Sequence, residues 1–176
     1  MTMPGLTRRV RIAALLVAAY SLSGCSSVEY HGYDSGIDGT LWRQIAGFED
    51  PMNFYQLSTR EPMTYVAELG GDRWDGSAST LPDLSEGAVV LYDVSTTESV
   101  AALSVFISSG PRPEVPTDTG NDYAGPSQVY TCYGLTADLG AAIRTVDRSV
   151  FTECPTALVS LLPEDATFAS GDVFDG

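Results

Sequence analysis

AVVLYDV, residues 88–94, is the stretch on which the fold turns. It is β-branched and aromatic in character and is bounded by polar turn residues, which is the signature of a strand. The stretch after it, ESVAALSVFIS (98–108), fits a helix through Val100, Leu103 and Ile107 and a strand through Leu103, Val105 and Ile107. Its VFI ending and the short STTE connection decide for a strand, so the two runs are expected to pair as a hairpin.

Outward from this hairpin, the upstream segment GGDRWDGSASTLPD (70–83) is dense in Gly, Asp and Ser and reads as loop. Residues 54–58 and 63–69 read as short strands parted by Arg60-Glu61-Pro62. Asp38 or Thr40 is placed to cap a short helix through Leu41, Trp42, Ile45 and Ala46, which Gly47 would end. Downstream, four prolines and three glycines over residues 110–126 forbid regular structure, and loops of that length in compact domains are often functional. Strands are expected at 128–136 and 143–151. Cys154-Pro155 would then open a helix carrying Ala157, Leu158, Leu161 and Leu162 up to Pro163, with a last extended piece at 167–174. The expectation is a single α+β domain over residues 40–176, an antiparallel sheet of five or six strands with a C-terminal helix packed on one face.

The three cysteines are spread unevenly, at 25, 132 and 154. Cys25 lies just past an eleven-residue, almost wholly apolar run, IAALLVAAYSL (12–22), that follows Arg8, Arg9 and Arg11. A membrane-spanning helix needs about 20 apolar residues, so the run is too short to cross, and residues 1–24 read as a secretory signal peptide. Leu22-Ser23-Gly24-Cys25 resembles the lipobox of bacterial lipoproteins, an aliphatic residue and two small ones before a cysteine. The resemblance covers only this first part of the chain. It implies cleavage before Cys25, a diacylglycerol thioether on its sulfur, and an acylated N-terminus. The place implied is the outer face of the cytoplasmic membrane, or an outer membrane in a cell that has one. Two or three acyl chains, at ~0.8 kcal/mol per buried methylene, anchor stably where one chain does not. Residues 25–39, glycine-rich and without an apolar period, would form the tether.

With Cys25 lipidated, Cys132 and Cys154 remain as a pair in an oxidising compartment, and a disulfide between them is the expected state. The alternatives are two free thiols or a metal pair, and two cysteines without nearby histidines make a poor zinc site.

Removal of residues 1–24 leaves 152 residues with six arginines against 23 acids, a formal charge of -17. Such a surface repels polyanions, which makes nucleic acid and anionic headgroups poor partners and leaves positive partners and divalent cations. The chain contains no lysine, which excludes a Walker A loop, a Schiff-base lysine and an S-x-x-K dyad. Its length suits one domain and falls short of a two-lobed solute-binding protein.

The single histidine, His31, lies in the tether, away from any cleft that would position an imidazole, and no G-x-S-x-G elbow is present. A Ser-His-Asp or Cys-His mechanism therefore has no base. A carboxylate pair for glycan hydrolysis needs only two acids and stays open. Calcium is the natural cation for the loops Asp72-Arg73-Trp74-Asp75-Gly76 and Asp118-Thr119-Gly120-Asn121-Asp122, where Asp72, Asp75, Asp118, Asn121 and Asp122 would be ligands, although neither loop has EF-hand spacing. Trp74 and Tyr123, aromatics in polar loops, are candidates to stack on a sugar or peptide. The reading favoured is a non-catalytic, lipid-anchored module that binds another envelope protein or a glycan. No cofactor is expected beyond the lipid on Cys25.

Overall fold

The computed structural model describes residues 37–53, 60–111 and 126–170. Its elements are α1 (Ile37–Asn53), α2 (Pro62–Glu68), β1 (Asp72–Arg73), β2 (Ala88–Thr96), β3 (Val100–Ser108), β4 (Val129–Asp138), β5 (Thr145–Val150), α3 (Thr156–Val159) and β6 (Thr167–Phe168). The expected strand at 54–58 lies outside the described residues.

The hairpin forms as expected. β2 and β3 pair antiparallel, with Val90 opposite Phe106 and Leu91 opposite Val105. β4 continues the sheet with Tyr133 opposite Val105 and Cys132 opposite Phe106. Alternation does the rest. The row Leu91, Val105, Tyr133 faces one side, and the row Val90, Phe106, Cys132 faces the other, all of them fully buried. Gly87 and Gly110 close the far end of the hairpin, both with positive φ. Their backbones approach so closely that a Cβ on Gly110 would run into the Glu86 carbonyl.

The sheet has six strands, but it is mixed rather than antiparallel. β1 pairs parallel to β2, and β6 pairs parallel to β4. β1 reaches β2 through the crossover 74–87, whereas between β4 and β6 the chain first forms β5 antiparallel to β4 and then crosses over residues 151–166, so in both cases the second strand of the parallel pair runs in the direction of the first. The two-residue β6 lies end to end with β5 along one edge of β4, β6 pairing at Val129 and Tyr130 and β5 from Tyr133 onward.

A second correction concerns residues 63–69, which form the body and C-cap of helix α2 and not a strand. Pro62 stands at its first turn, and the Glu61 carboxylate accepts from the Met63 and Thr64 amides. Pro62, Tyr65, Val66 and Leu69 are buried at helical spacing, and this packing overrides the strand propensity of Tyr65 and Val66. Helix α1 likewise runs past Gly47, because Leu41, Ile45, Phe48 and Met52 continue one apolar stripe. Pro51 lacks the N–H that would bond the Gly47 carbonyl, so this turn is the weak point of the helix.

Helices α1 and α2 cover one face of the sheet. Arg148 of β5 fastens α1 to it, with Nη2 2.7 Å from Glu49 Oε2 and its guanidinium 5.0 Å over the Tyr133 ring. On the opposite face Leu158 of α3 packs with Trp74, Leu84, Val90, Tyr92, Phe106 and Cys132. The helix expected over 155–162 is one α-turn followed by i+3 turns, Leu161 N to Leu158 O and Leu162 N to Val159 O. The Cys132–Cys154 disulfide is formed and ties its start to β4.

Candidate functional site

A cleft of about 530 Å³ opens at the outer edge of β2, within the range of roughly 300–1,000 Å³ common for ligand sites. Val66 of α2 and Leu91 of β2 give it apolar walls, and Arg73, Trp74, Asp75 and Thr80 enter from β1 and the loop after it.

Arg73 is turned inward. Nη2 donates to the carbonyls of Val66 (2.7 Å) and Leu69 (2.8 Å), and Nη1 to those of Gly71 (2.9 Å) and Gly70 (3.4 Å). The four carbonyls cluster at and just past the end of α2, where the Val66 carbonyl also accepts from the Leu69 amide, and the cation complements the negative end of the helix. Burial pushes its pKa down, opposed by the neighbouring Asp72 carboxylate.

Trp74 follows, its amide bonded to the Leu91 carbonyl and its indole Nε1 donating to Ser77 O at 2.9 Å. The ring is 8 % exposed and tilts against Tyr92 with centroids 6.2 Å apart, so it forms a wall of the cleft and a lid on the second core together. Asp75 Oδ1 accepts from the Thr80 hydroxyl and the Ser77 amide, and these two bonds, in that order, hold its carboxyl below the usual range.

The rim is built by a bulge in β2. Pairing with β3 shifts between Tyr92 and Ser95, and Asp93 takes the left-handed conformation (φ 50°), which aspartate tolerates better than most residues. Asp93 and Val94 both line the cleft and are exposed. Burial pushes the neighbouring Tyr92 phenol up to about 12, against the pull of its hydrogen bond with Ser104 and with a small push from the Asp93 charge. Asp93 makes no hydrogen bond or ion pair among the described residues.

Of the candidates from sequence, Trp74 and Asp75 meet in this cleft, and Asp72 stands exposed on β1 beside it. Cys132 lies two strands across from β2, in the row of Val90 and Phe106, and Cys154, bridged to it, lines a smaller cavity of about 220 Å³ with Tyr130, Val159 and Phe168. Cys25, His31, Asp118, Asn121, Asp122 and Tyr123 lie outside the described residues. Among the described residues no three His, Cys, Asp or Glu side chains come together as a metal would need. No helix among them is long and apolar enough to cross a membrane. Asp93 was missed from sequence, although an acid inside the apolar run AVVLYDV marks where the strand departs from regular alternation. Thr80 and Val66 had no local signal.

A glycosidic general acid needs a raised pKa, and Asp75 is held low by the bonds that shape its turn. No protein-family model matches this chain, and no curated protein or solved structure does.

Proposed function

We propose that the protein is a lipid-anchored, extracytoplasmic binding module, held at the membrane through Cys25, that offers the cleft at the β2 edge to another component of the envelope. The observation that carries this reading is the division of the three cysteines. Cys132 and Cys154 are bridged, which suits an oxidising compartment, and this leaves Cys25, in its lipobox-like setting, as the cysteine for acylation. The binding role is supported by the cleft, whose inner polar groups already have partners and whose rim offers Asp93 and Val94.

Intact mass of the detergent-extracted protein, beside a Cys25→Ala variant, tests the anchor. The expected result is a chain that begins at Cys25 and carries two or three acyl groups, with two thiols appearing only after reduction, and an alanine variant that is neither acylated nor cleaved at that position. A water-soluble, unacylated wild-type protein would overturn the reading.

A further inference from the structure

The composition of the cleft also speaks to its occupant, an inference that rests on the cleft being the binding site. We propose that it takes an extended basic segment of a partner protein, with an arginine or lysine side chain against Asp93 and an aliphatic neighbour against Val94 and Val66.

The charge argument comes from what is already engaged. Arg73 is the one cation among the lining residues, and its guanidinium is turned onto four carbonyls at the end of α2, so it does not face an incoming group. Asp75 and Asp93 then leave the lining net negative, and Asp93 has no partner among the described residues. The whole chain carries a formal charge of -14, which favours approach of a basic partner from a distance.

The shape argument comes from the edge. β1 stops at Arg73, and the last backbone bond onto β2 runs from the Trp74 amide to the Leu91 carbonyl. β2 continues to Thr96, and beyond Leu91 its outer edge has no backbone partner among the described residues. Along this edge lies an apolar strip. Val94 is 41 % exposed and Met63 61 %, and the Met63 sulfur sits 3.3 Å from the Thr96 hydroxyl. An open backbone edge beside one acid, Asp93, and one exposed apolar residue, Val94, suits an extended peptide, its backbone on the edge and its side chains in the cleft.

Fluorescence anisotropy of the detergent-solubilised full chain with three labelled seven-residue probes tests this, the probes alternating valine with arginine, with serine or with glutamate. Amide chemical shifts map each contact. The valine–arginine probe is expected to bind, to shift residues 73–75 and 91–94, and to weaken about tenfold in Asp93→Asn, the size of one charge-assisted hydrogen bond. Asparagine accepts the same left-handed backbone, so that variant removes charge and keeps the fold. Asp147→Asn on β5, at the far edge of the sheet, is expected to leave binding unchanged. Equal weakening by both variants would reduce the effect to bulk charge and overturn the proposal. Equally tight binding of the valine–serine probe with cleft shifts would overturn the basic partner and leave the cleft as a binding site. No cleft shift with any probe would overturn both.

Discussion

The two faces of the sheet are buried under very different covers. Among the described residues, a cluster of 17 buried residues, from Leu41 to Leu139, lies under α1 and α2, supported by two helices with helical spacing of their own. The opposite cluster has seven among the described residues, covered there by one helical turn and the 74–87 loop. Since hydrophobic stabilisation scales with apolar area removed from water, the thin face has less of it and relies on point attachments: a disulfide, the Trp74 ring and hydrogen bonds from acids that pin turns. The cleft lies where the thin cover begins. A binding edge drawn from the less stable side of a fold is what local opening energetics lead one to expect.

Trp74 is the strongest test of that contrast. Trp74→Ala removes the ring that rests on Tyr92 and the bond to Ser77 O, and is expected to cost about 3–5 kcal/mol, as buried aromatic truncations do. Hydrogen exchange should show protection lost across 72–87 and on β2, with the amides of α1 and α2 retained. Leu41→Ala, on the helical face, should instead lower protection throughout. If both variants loosen the molecule alike, the faces form one cooperative unit and the contrast fails.

The disulfide comes next. Cys132 and Cys154 are 22 residues apart, and the bridge is expected to contribute about 3 kcal/mol by restricting the unfolded chain. Paired Cys132→Ser and Cys154→Ser substitutions should lower the denaturant midpoint accordingly, with α3 and β6 losing exchange protection first. An unchanged midpoint would mean that Leu158, Phe151 and Phe168 hold this end without the bridge.

How much of this was legible in the sequence follows from how local each signal is. β2 and β3 could be read because alternation and turn residues stand within a few positions of one another. The cysteine pair could be read because lipidation of Cys25 would leave only two. Helix α2 was hidden by Tyr65 and Val66, which favour strands, although Glu61-Pro62 and the spacing Pro62, Tyr65, Val66, Leu69 marked a capped helix. The parallel pairing of β1 and β6 had no local trace, because two residues carry no period and direction is set by crossovers. The site was half legible. The loop 72–76 stood out by composition, whereas the rim at Asp93 depends on a bulge that forms only against β3.

Acid is the gentlest way to separate the faces. On the thin face Asp75 holds Ser77 and Thr80, Asp83 holds Ser85, and Asp165 holds Ser127, and each carboxyl is kept below its ordinary pKa by those bonds. On the helical side Glu61 plays the same part at the cap of α2, with the Thr64 hydroxyl first among the causes. A carboxyl depressed in the folded state binds fewer protons there than in the unfolded chain. Its stabilisation is therefore complete above the unfolded value of about 4 and is lost as pH falls through the folded one. Opposing this, acidification discharges a chain of formal charge -14 and relieves its self-repulsion. With three depressed carboxylates on the thin face against one on the other among the described residues, exchange protection below about pH 4 should fall first in 74–87 and around Ser127. Asp75→Asn should lower the melting temperature at pH 7 and leave little difference from wild type at pH 3. A melting temperature that rises steadily from pH 6 to pH 3 would mean that repulsion outweighs the turn bonds, and the thin face would then be held by Trp74 and the disulfide rather than by its acids.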